Sequence, residues 1–342
     1  MAFPGLPFQP TERTFVHRAQ VQQTVPTAAS VDAEASAITH DGFDALVVAN
    51  GHYAKPRMPH IPGLENFTGH VLHSHNYRFP EPHAGRNVVV LGGGQSGRDI
   101  AQELHGVAAS VVLAHATPRI NVPELRETAP ITTVAKDGTL VTSDGLHLEA
   151  DTLILATGYH FDFPFLDLGA HGLESVPPRR IRGLYQHMLA IHEPTLALVG
   201  LPYKIVPFPL FDRQGLWLKA LWADRTLQLP SIEEMQAVDE QLVEAADGDE
   251  QAVVVLSARQ WAYNSRLSSE ARAEPLEPWR REVYEANNAQ RKRMPWQYKL
   301  NEFDIDFSTG DWLGRYADGA TESRAQFLAQ STSAPSPPAS SQ

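Results

Sequence analysis

Short runs of apolar residues recur along the first part of the chain. They read ALVVA at 45–49, VVVL at 88–91, SVVLA at 110–114, TLILA at 152–156 and TLALVG at 195–200. Each run lacks polar alternation and is rich in aliphatic residues, which is typical of strands buried on both faces of a parallel sheet. Apolar residues at helical spacing follow the second run, in GQSGRDIAQELHGVA. Strand, glycine-rich turn, helix and strand together predict a βαβ unit, and the fold class is α/β.

The pattern becomes helical beyond residue 210. The clearest helical segments read RQGLWLKALWADR and SIEEMQAVDEQLVEAA. We interpret both as ordinary packing helices. The chain closes on STSAPSPPASSQ, a low-complexity segment rich in Ser and Pro. We therefore expect a disordered tail over residues 330–342.

Composition narrows the function classes. The 342 residues are enough for two domains, and the net charge of −12 with scattered Lys and Arg predicts no nucleic-acid partner. The absence of cysteine excludes disulfides, thiolate metal sites and a cysteine nucleophile. No apolar run approaches the roughly 18 residues that a membrane span requires, and no signal-peptide pattern is present at the start. We expect a cytoplasmic protein.

A glycine-rich turn follows the VVVL run and opens the predicted helix. Its residues are Gly92, Gly93, Gly94, Gln95, Ser96 and Gly97, which read G-x-G-x-x-G. Gly92 permits the tight turn, Gly94 lets a pyrophosphate approach the backbone, and Gly97 lets helix and strand pack closely. The helix amino terminus supplies free N–H groups to the anion. The alternative, a glycine-rich turn that binds nothing, is disfavoured by the flanking strand and helix.

The end of the second strand of this unit selects between the two nicotinamide coenzymes. An acidic residue there would bond the ribose 2′-hydroxyl of NADH. The segment 113–119 reads LAHATPR, without a carboxylate. His115 and Arg119 would suit a 2′-phosphate, so NADPH is favoured over NADH. For Arg119, a solvated loop cation remains an equal alternative.

Three further motifs carry a resemblance to a known family. Residues 67–77 read F-x-G-x-x-x-H-x-x-x-Y, residues 156–159 read ATGY, and residues 208–217 read F-P-x-x-x-x-Q-x-x-W. With the glycine turn they stand in the order found in the flavin-containing monooxygenases, which the chain resembles over about residues 1–310. Tyr77 closes the first motif, where the related Baeyer–Villiger enzymes carry Trp or Asp. It favours oxygenation of soft nitrogen or sulfur nucleophiles.

The resemblance implies a two-dinucleotide-domain, Rossmann-like flavoprotein. Its expected activity is like that of N,N-dimethylaniline monooxygenase: NADPH and O2 are used, through an FAD C4a-hydroperoxide, to oxygenate an amine or sulfide. No side chain is implied as a catalytic nucleophile, and no metal is expected. The cofactor-binding residues that it adds to those of the turn are Asn50, Gly51, Phe67, Gly69, His73, Tyr77, Thr157, Gly158 and Gln214. Asn50-Gly51 and Thr157-Gly158 would be the two crossings between domains.

The FAD domain is expected to be incomplete in this chain. The family binds FAD on an earlier G-x-G-x-x-G, and the sequence contains only the turn at 92–97. The expected domains are an FAD-domain remnant at 1–55, an NADPH domain at 56–158, and a return to the FAD and substrate domain at 159–320. A truncated or inactive NADPH-binding paralogue remains the alternative. A flavin-dependent disulfide reductase is excluded by the lack of cysteine.

Overall fold

The computed structural model describes residues 44–116 and 125–333. These residues divide into two compact units. The sheet unit contains residues 48–194 and 232–254, and the helical unit contains the other described residues, chiefly 195–231 and those from 255 onward. None of the described helices is long and apolar enough to cross a membrane.

The sheet unit is built on five parallel strands. They are β3 (His70–His73), β4 (Asn87–Leu91), β5 (Ser110–Ala114), β6 (Arg126–Thr128) and β10 (Thr152–Leu155), in the spatial order β3-β10-β4-β5-β6. Leu153 of the second strand in this order pairs with Val71 on one side and Val89 on the other, and it is fully buried. The parallel sheet expected from the sequence is confirmed for the runs at 88–91, 110–114 and 152–156, whereas the run at 195–200 lies in another sheet.

Both faces of this sheet are covered, each by a different layer. Helix α1 (Gln95–Leu104) packs on the face that carries Val88, Val90 and Ile154. An antiparallel sheet of β7 (Ile131–Val134), β8 (Leu140–Thr142) and β9 (His147–Leu148) covers the face that carries Val89 and Leu153. Successive strand residues point to opposite faces, so two covered faces require the unalternated apolar runs seen in the sequence.

The remaining elements of the sheet unit are short strands and two helices. The strands are β2 (Lys55–Pro56), β11 (Tyr159–His160), β12 (Glu174–Val176), β13 (Arg180–Arg182), β14 (Leu184–Tyr185) and β15 (Leu189–Ala190). The helices are α3 (Ile232–Glu244) and α4 (Glu250–Val253). Arg180, 1% exposed, pairs with Asp239 of α3 at 2.5 Å and with Glu250 of α4 at 3.4 Å. These buried charges fix both helices to the unit.

The helical unit contains most of the remaining structure. Its helices are α2 (Pro207–Trp222), α5 (Gln260–Glu270), α6 (Pro278–Arg293) and α7 (Arg324–Ser333). Its strands are β16 (Leu196–Leu198), β17 (Glu302–Ile305), β18 (Trp312–Arg315) and β19 (Thr321–Ser323), the last three forming an antiparallel sheet. Trp279, Ala286 and Trp312 form a core between α6 and that sheet. Helix α7 extends to Ser333, inside the segment expected as a tail, and residues 334–342 lie outside the described residues.

The first apolar run of the sequence does not behave as expected. Strand β1 (Leu46–Val48) is not part of the five-stranded sheet, and only Val48 is buried. Leu46 is 52% exposed and Val47 46% exposed. The expectation of burial on both faces was wrong here because no described layer covers this strand.

Candidate dinucleotide site

Gly92 joins the end of β4 to the turn in a conformation that only glycine adopts easily. Its φ is +126°, and a Cβ at this position would lie 2.3 Å from the Ala156 carbonyl oxygen. The Gly92 N–H donates to the Ala114 carbonyl oxygen at 2.8 Å. The turn is therefore pressed against the carboxyl ends of two neighbouring strands, where ligands bind in open α/β sheets.

The other two motif glycines serve opposite purposes. A Cβ at Gly97 would lie 1.8 Å from the Gly92 carbonyl oxygen, so this glycine lets helix α1 pack onto the turn. A Cβ at Gly94 would meet nothing within 4 Å, and its φ of −71° suits any residue. Neither packing nor strain therefore requires glycine at 94. The opening over Gly94 matches the close approach that a pyrophosphate makes to the backbone.

The amino terminus of α1 leaves backbone donors beside that opening. Gly94 is the N-cap and no side chain caps the helix, so the first-turn N–H groups have no helical acceptor. Gln95 and Ser96 are exposed, and the Gln95 Nε2 donates to the Asp99 carboxylate at 2.9 Å. These donors and the helix dipole favour an anion at this point.

Arg98 is a residue of this turn that sequence reasoning missed. Its Nε donates to the Gly93 carbonyl oxygen at 2.9 Å, so the guanidinium braces the turn from the first turn of α1. An arginine one position after the motif was the only signal, and the motif itself does not specify it. A cation there adds to the positive potential that the helix end provides.

His115 follows β5 and lies under the turn. It is 5% exposed, and its ring is so close to Gly93 that a Cβ on that glycine would lie 2.8 Å from His115 Nδ1. Its Nε2 is 3.3 Å from a carboxylate oxygen of Glu127 in β6. The structure thus places His115 beside the turn, and its part in coenzyme binding stays a prediction. Arg119 lies outside the described residues, so its proposed part in coenzyme binding stays a prediction.

The first half of the F-x-G-x-x-x-H-x-x-x-Y motif fixes the start of edge strand β3. A Cβ at Gly69 would lie 2.6 Å both from the ring of Phe67 and from the Asp151 carbonyl oxygen. Phe67 packs against the core that β7–β9 cover. The glycine is therefore needed so that the phenylalanine can fold back over the strand, which is a packing role.

The second half of the motif fixes the end of β3. His73 is 4% exposed, its Nδ1 accepts the His75 backbone N–H at 3.0 Å, and its ring lies 5.2 Å from that of Tyr159. Burial lowers the pKa of His73. Tyr77 packs against the α1 face of the sheet and stacks on His83, with ring centroids 6.0 Å apart. Burial, assisted by the Glu103 carboxylate, raises the pKa of Tyr77.

Each predicted crossing is hydrogen-bonded to residues that lie close to the other crossing in sequence. Gly51 and Gly158 have φ of +73° and +86°, and a Cβ on either would meet nothing within 4 Å. The Arg57 N–H donates to the Gly158 carbonyl oxygen at 2.9 Å, and Arg57 Nε donates to the Thr157 carbonyl oxygen at 2.9 Å. Asn50 Nδ2 donates to the Asp162 carbonyl oxygen at 3.4 Å. The strands that follow the two crossings, β2 and β11, pair antiparallel.

Gln214 lies in the helical unit, on α2. It is fully buried, its Oε1 accepts the Gly200 N–H at 2.9 Å, and its Nε2 donates to the Tyr263 hydroxyl at 2.9 Å. Both ends of the amide are thus used inside this unit. A role for Gln214 at a cofactor stays a prediction.

Comparison with known families identifies the chain. The model of the flavin-binding monooxygenase-like (FMO-like) family matches residues 29–122 and 117–263, more than half of the chain. The chain belongs to this family. The resemblance read from its motifs is confirmed, and membership implies FAD and NADPH as cofactors.

Individual relatives agree with this assignment. Flavin-containing monooxygenase FMO GS-OX-like 4 of Arabidopsis thaliana is 32% identical over 80% of this chain and 62% of its own length. FMO GS-OX-like 7 of the same plant is 35% identical over 72% of this chain and 55% of its own length. The chain therefore spans between half and two thirds of the length of these curated relatives.

Solved structures show the same fold. S-allyl-L-cysteine S-oxygenase from Allium sativum matches with a TM-score of 0.68 and 34% identity, covering 76% of this chain and 61% of that chain. Tmm from Pelagibacter sp. strain HTCC7211 matches with a TM-score of 0.67 and 24% identity, covering 79% and 61%. The second likeness shows the fold alone. Both support a Rossmann-like flavin monooxygenase architecture.

The described residues contain one place that suits the pyrophosphate of a dinucleotide. It is the opening over Gly94 beside the uncapped helix end, and NADPH and FAD both carry this group. A further turn of this kind, as FAD requires, is absent from residues 44–116 and 125–333, and the sequence has one G-x-G-x-x-G. This FMO-family chain therefore presents one of the family's two nucleotide turns.

Proposed function

We propose that this chain carries the NADPH-binding part of a flavin-dependent monooxygenase that uses O2 to oxygenate a soft sulfur or nitrogen nucleophile. The observation that carries the proposal is the glycine turn, in which Gly92 and Gly97 are required by packing while Gly94 is required by neither packing nor strain. An open glycine at that position is explained by a ligand that approaches the backbone.

Each residue of the turn has a binding role in this proposal. The first-turn N–H groups of α1 hold the pyrophosphate, Arg98 braces the turn, and His115 faces the adenosine ribose. The F-x-G-x-x-x-H-x-x-x-Y segment holds β3 in the sheet and His73 against the second crossing. When bound, NADPH and FAD supply the hydride and the oxygen chemistry, so the protein's part is to bind, orient and exclude water.

A thioether is the preferred substrate class within this proposal. The matched S-oxygenase from Allium sativum acts, by its name, on the sulfur of S-allyl-L-cysteine, and it is 34% identical to this chain. Tyr77, at the end of the motif, supports the same nitrogen- and sulfur-oxygenating group. A tertiary amine is the second substrate class to test.

The chain as printed is expected to bind NADPH but to retain little FAD. The FAD pyrophosphate needs a glycine turn and a helix amino terminus, and the one turn in the sequence is assigned to NADPH. Purified chain is incubated with FAD, and bound flavin absorbance is recorded after gel filtration. A matched chimera carries, ahead of residue 44, the corresponding amino-terminal segment of the Allium sativum S-oxygenase.

Activity is then compared between the two proteins. The chimera is expected to hold flavin and to consume NADPH with methyl phenyl sulfide, yielding the sulfoxide, while the chain as printed stays at background. N,N-dimethylaniline serves as the amine probe. Stoichiometric flavin and sulfide-dependent turnover in the chain as printed would contradict the expectation for FAD. NADPH binding without turnover in a flavin-loaded chimera would favour an inactive nucleotide-binding paralogue.

A further inference from the structure

The sequence contains one Asn-Gly pair, and it lies at the first predicted crossing. Asn50 and Gly51 are both exposed, and both belong to the sheet unit. The carbonyl carbon of the Asn50 side chain, Cγ, is an electrophile. The backbone nitrogen of the next residue can close a five-membered ring on that carbon. Because glycine has no side chain to block this approach, the pair places a reactive carbon beside an accessible nucleophile.

The attacking nitrogen is not held by the fold. Among residues 44–116 and 125–333, the Gly51 N–H has no hydrogen-bond acceptor. A Cβ placed on Gly51 would meet nothing within 4 Å, so the space around this residue is open. A backbone nitrogen in a helix or a sheet is fixed by its hydrogen bond, whereas this nitrogen can turn toward the preceding side chain.

The Asn50 amide is held by a single long hydrogen bond. Its Nδ2 donates to the Asp162 carbonyl oxygen at 3.4 Å, which is beyond the usual range for an N–H donor. The Asn50 Oδ1 has no hydrogen-bond partner in the part of the chain that the structure describes. Little free energy is therefore needed to turn Cγ toward the Gly51 nitrogen.

A second exposed asparagine of the same unit has the opposite surroundings. Asn76 is followed by Tyr77, whose N–H donates to the Ser74 carbonyl oxygen at 3.3 Å. The Tyr77 side chain packs against the α1 face of the sheet. The nitrogen after Asn76 is thus bonded and shielded, so this residue is an internal control for Asn50.

We propose that the folded chain modifies itself at Asn50. The Gly51 nitrogen bonds to Asn50 Cγ and gives up its proton, and the amide nitrogen leaves as ammonia, which closes a succinimide ring. Water then opens the ring. Attack at Cγ breaks the new bond and gives aspartate, whereas attack at the backbone carbonyl carbon gives isoaspartate, with the chain continuing through Cγ. The net reaction exchanges NH2 for OH, consumes one water and needs no oxidant or reductant.

The modification changes both the contacts and the charge of the first crossing. A carboxylate only accepts hydrogen bonds, so the product loses the bond that Asn50 donates to the Asp162 carbonyl oxygen. The net charge of the chain becomes one unit more negative than −12. Modified and unmodified chains can therefore be separated by charge. The inference does not depend on the proposed function, because the reaction needs only water.

The test follows the full chain during incubation at pH 8, by isoelectric focusing and by mass spectrometry of its proteolytic peptides. Residue 50 is expected to convert at least about tenfold faster than Asn76, because only its neighbouring nitrogen can reach the amide carbon. Isoaspartate is expected among the products and is detected by enzymatic methylation. A peptide of residues 47–53 in the same buffer is the unfolded reference. The folded chain is expected to react within about threefold of the peptide rate, since no hydrogen bond must open first.

Two variants assign the charge change to its residue. Asn50→Gln keeps the amide but requires a six-membered ring, and it is expected to remove the acidic form. Asn76→Gln is expected to leave its formation unchanged. The peptide maps of the wild type decide the matter even if a variant does not fold. An unmodified Asn50 in the incubated wild type, or a rate at least about tenfold below that of the peptide, would overturn the inference.

Discussion

Polar groups have opposite surroundings at the glycine turn of the sheet unit and at the Gln214 cluster of the helical unit, which consists of Gln214, Gly200 and Tyr263. At the turn, the first N–H groups of α1 have no side-chain cap, and the space over Gly94 is open. Around Gln214, the amide is fully buried and bonded at both ends, to Gly200 and Tyr263. Open donors at a surface are available to a ligand, whereas filled buried donors hold a fold together. A motif residue can therefore belong to either class, and only its contacts distinguish them.

The largest expected effect on stability comes from adding a side chain at Gly97, where the helix packs on the turn. Gly97→Ala places a Cβ 1.8 Å from the Gly92 carbonyl oxygen, a backbone atom that cannot move without opening the turn. We expect a loss of about 3 kcal/mol in the free energy of unfolding, together with loss of NADPH binding. Urea unfolding and a nucleotide titration measure the two.

The control for this substitution is Gly215→Ala in α2. A Cβ at Gly215 meets nothing within 4 Å, and alanine favours a helix, so stability should rise by up to about 0.8 kcal/mol. Equal stability of the Gly97→Ala chain and the wild type would mean that the helix does not press on the turn as described.

The second largest effect is expected from a substitution in the Gln214 cluster, where both ends of the amide are hydrogen-bonded. Gln214→Leu removes both bonds of the amide, so the buried Gly200 N–H and the buried Tyr263 hydroxyl each lose the partner that Gln214 supplies. We expect a loss of about 2–4 kcal/mol in unfolding free energy, with NADPH affinity unchanged within about threefold. Gln228→Leu, at an exposed position of the same unit, is the control and should change stability by less than about 0.5 kcal/mol. A stable Gln214→Leu chain that loses coenzyme binding would show that Gln214 binds the coenzyme and does not stabilise the fold.

A smaller effect is expected from the buried histidines of the sheet unit. Burial lowers the pKa of His73 and of His83 below the ordinary 6.5. As the pH falls below 6.5, these two side chains are therefore protonated more readily in the unfolded chain than in the folded chain. The contribution of these histidines to the free energy of unfolding is therefore fully present above pH 6.5. It is lost as the pH falls below 6.5, by at most about 1.4 kcal/mol per pH unit for each histidine. Urea unfolding at pH 7, 6 and 5 measures the slope.

The matched protein for the pH series is the double variant His73→Gln, His83→Gln. Its slope between pH 7 and pH 5 should be shallower than that of the wild type, although its stability at pH 7 is lower. Parallel slopes in the two proteins would show that these histidines titrate alike in the folded and unfolded chains.

Local patterns predicted the part of the fold that local rules govern. The runs that became β4, β5 and β10, the helix α1 and the turn between them followed from short stretches of sequence, because a buried strand and a glycine turn each leave a local pattern. The antiparallel strands β7–β9 and β17–β19 did not, since their pairing depends on residues far along the chain. The exposure of Leu46 and Val47 could not be foreseen, because an apolar run does not show which neighbour covers it.

The residues of the candidate site also fall into those that a local sequence pattern predicted and those that it did not. The glycines and His115 were predicted from their spacing. Arg98 and Glu127 were missed, because one acts through a backbone carbonyl and the other arrives from a neighbouring strand. For Gln214, the motif identified the residue while the structure shows where its amide is bonded. Spacing alone thus locates backbone features better than it locates side-chain partners.

The claim that the space over Gly94 exists for a nucleotide phosphate is tested most directly by Gly94→Ala. The backbone at this N-cap suits alanine and the Cβ meets no protein atom, so unfolding free energy should stay within about 1 kcal/mol of the wild type. Calorimetric titration with NADPH should show an affinity at least about tenfold weaker, because the added methyl group keeps the pyrophosphate from the backbone. A folded Gly94→Ala chain that binds NADPH as tightly as the wild type would contradict the account.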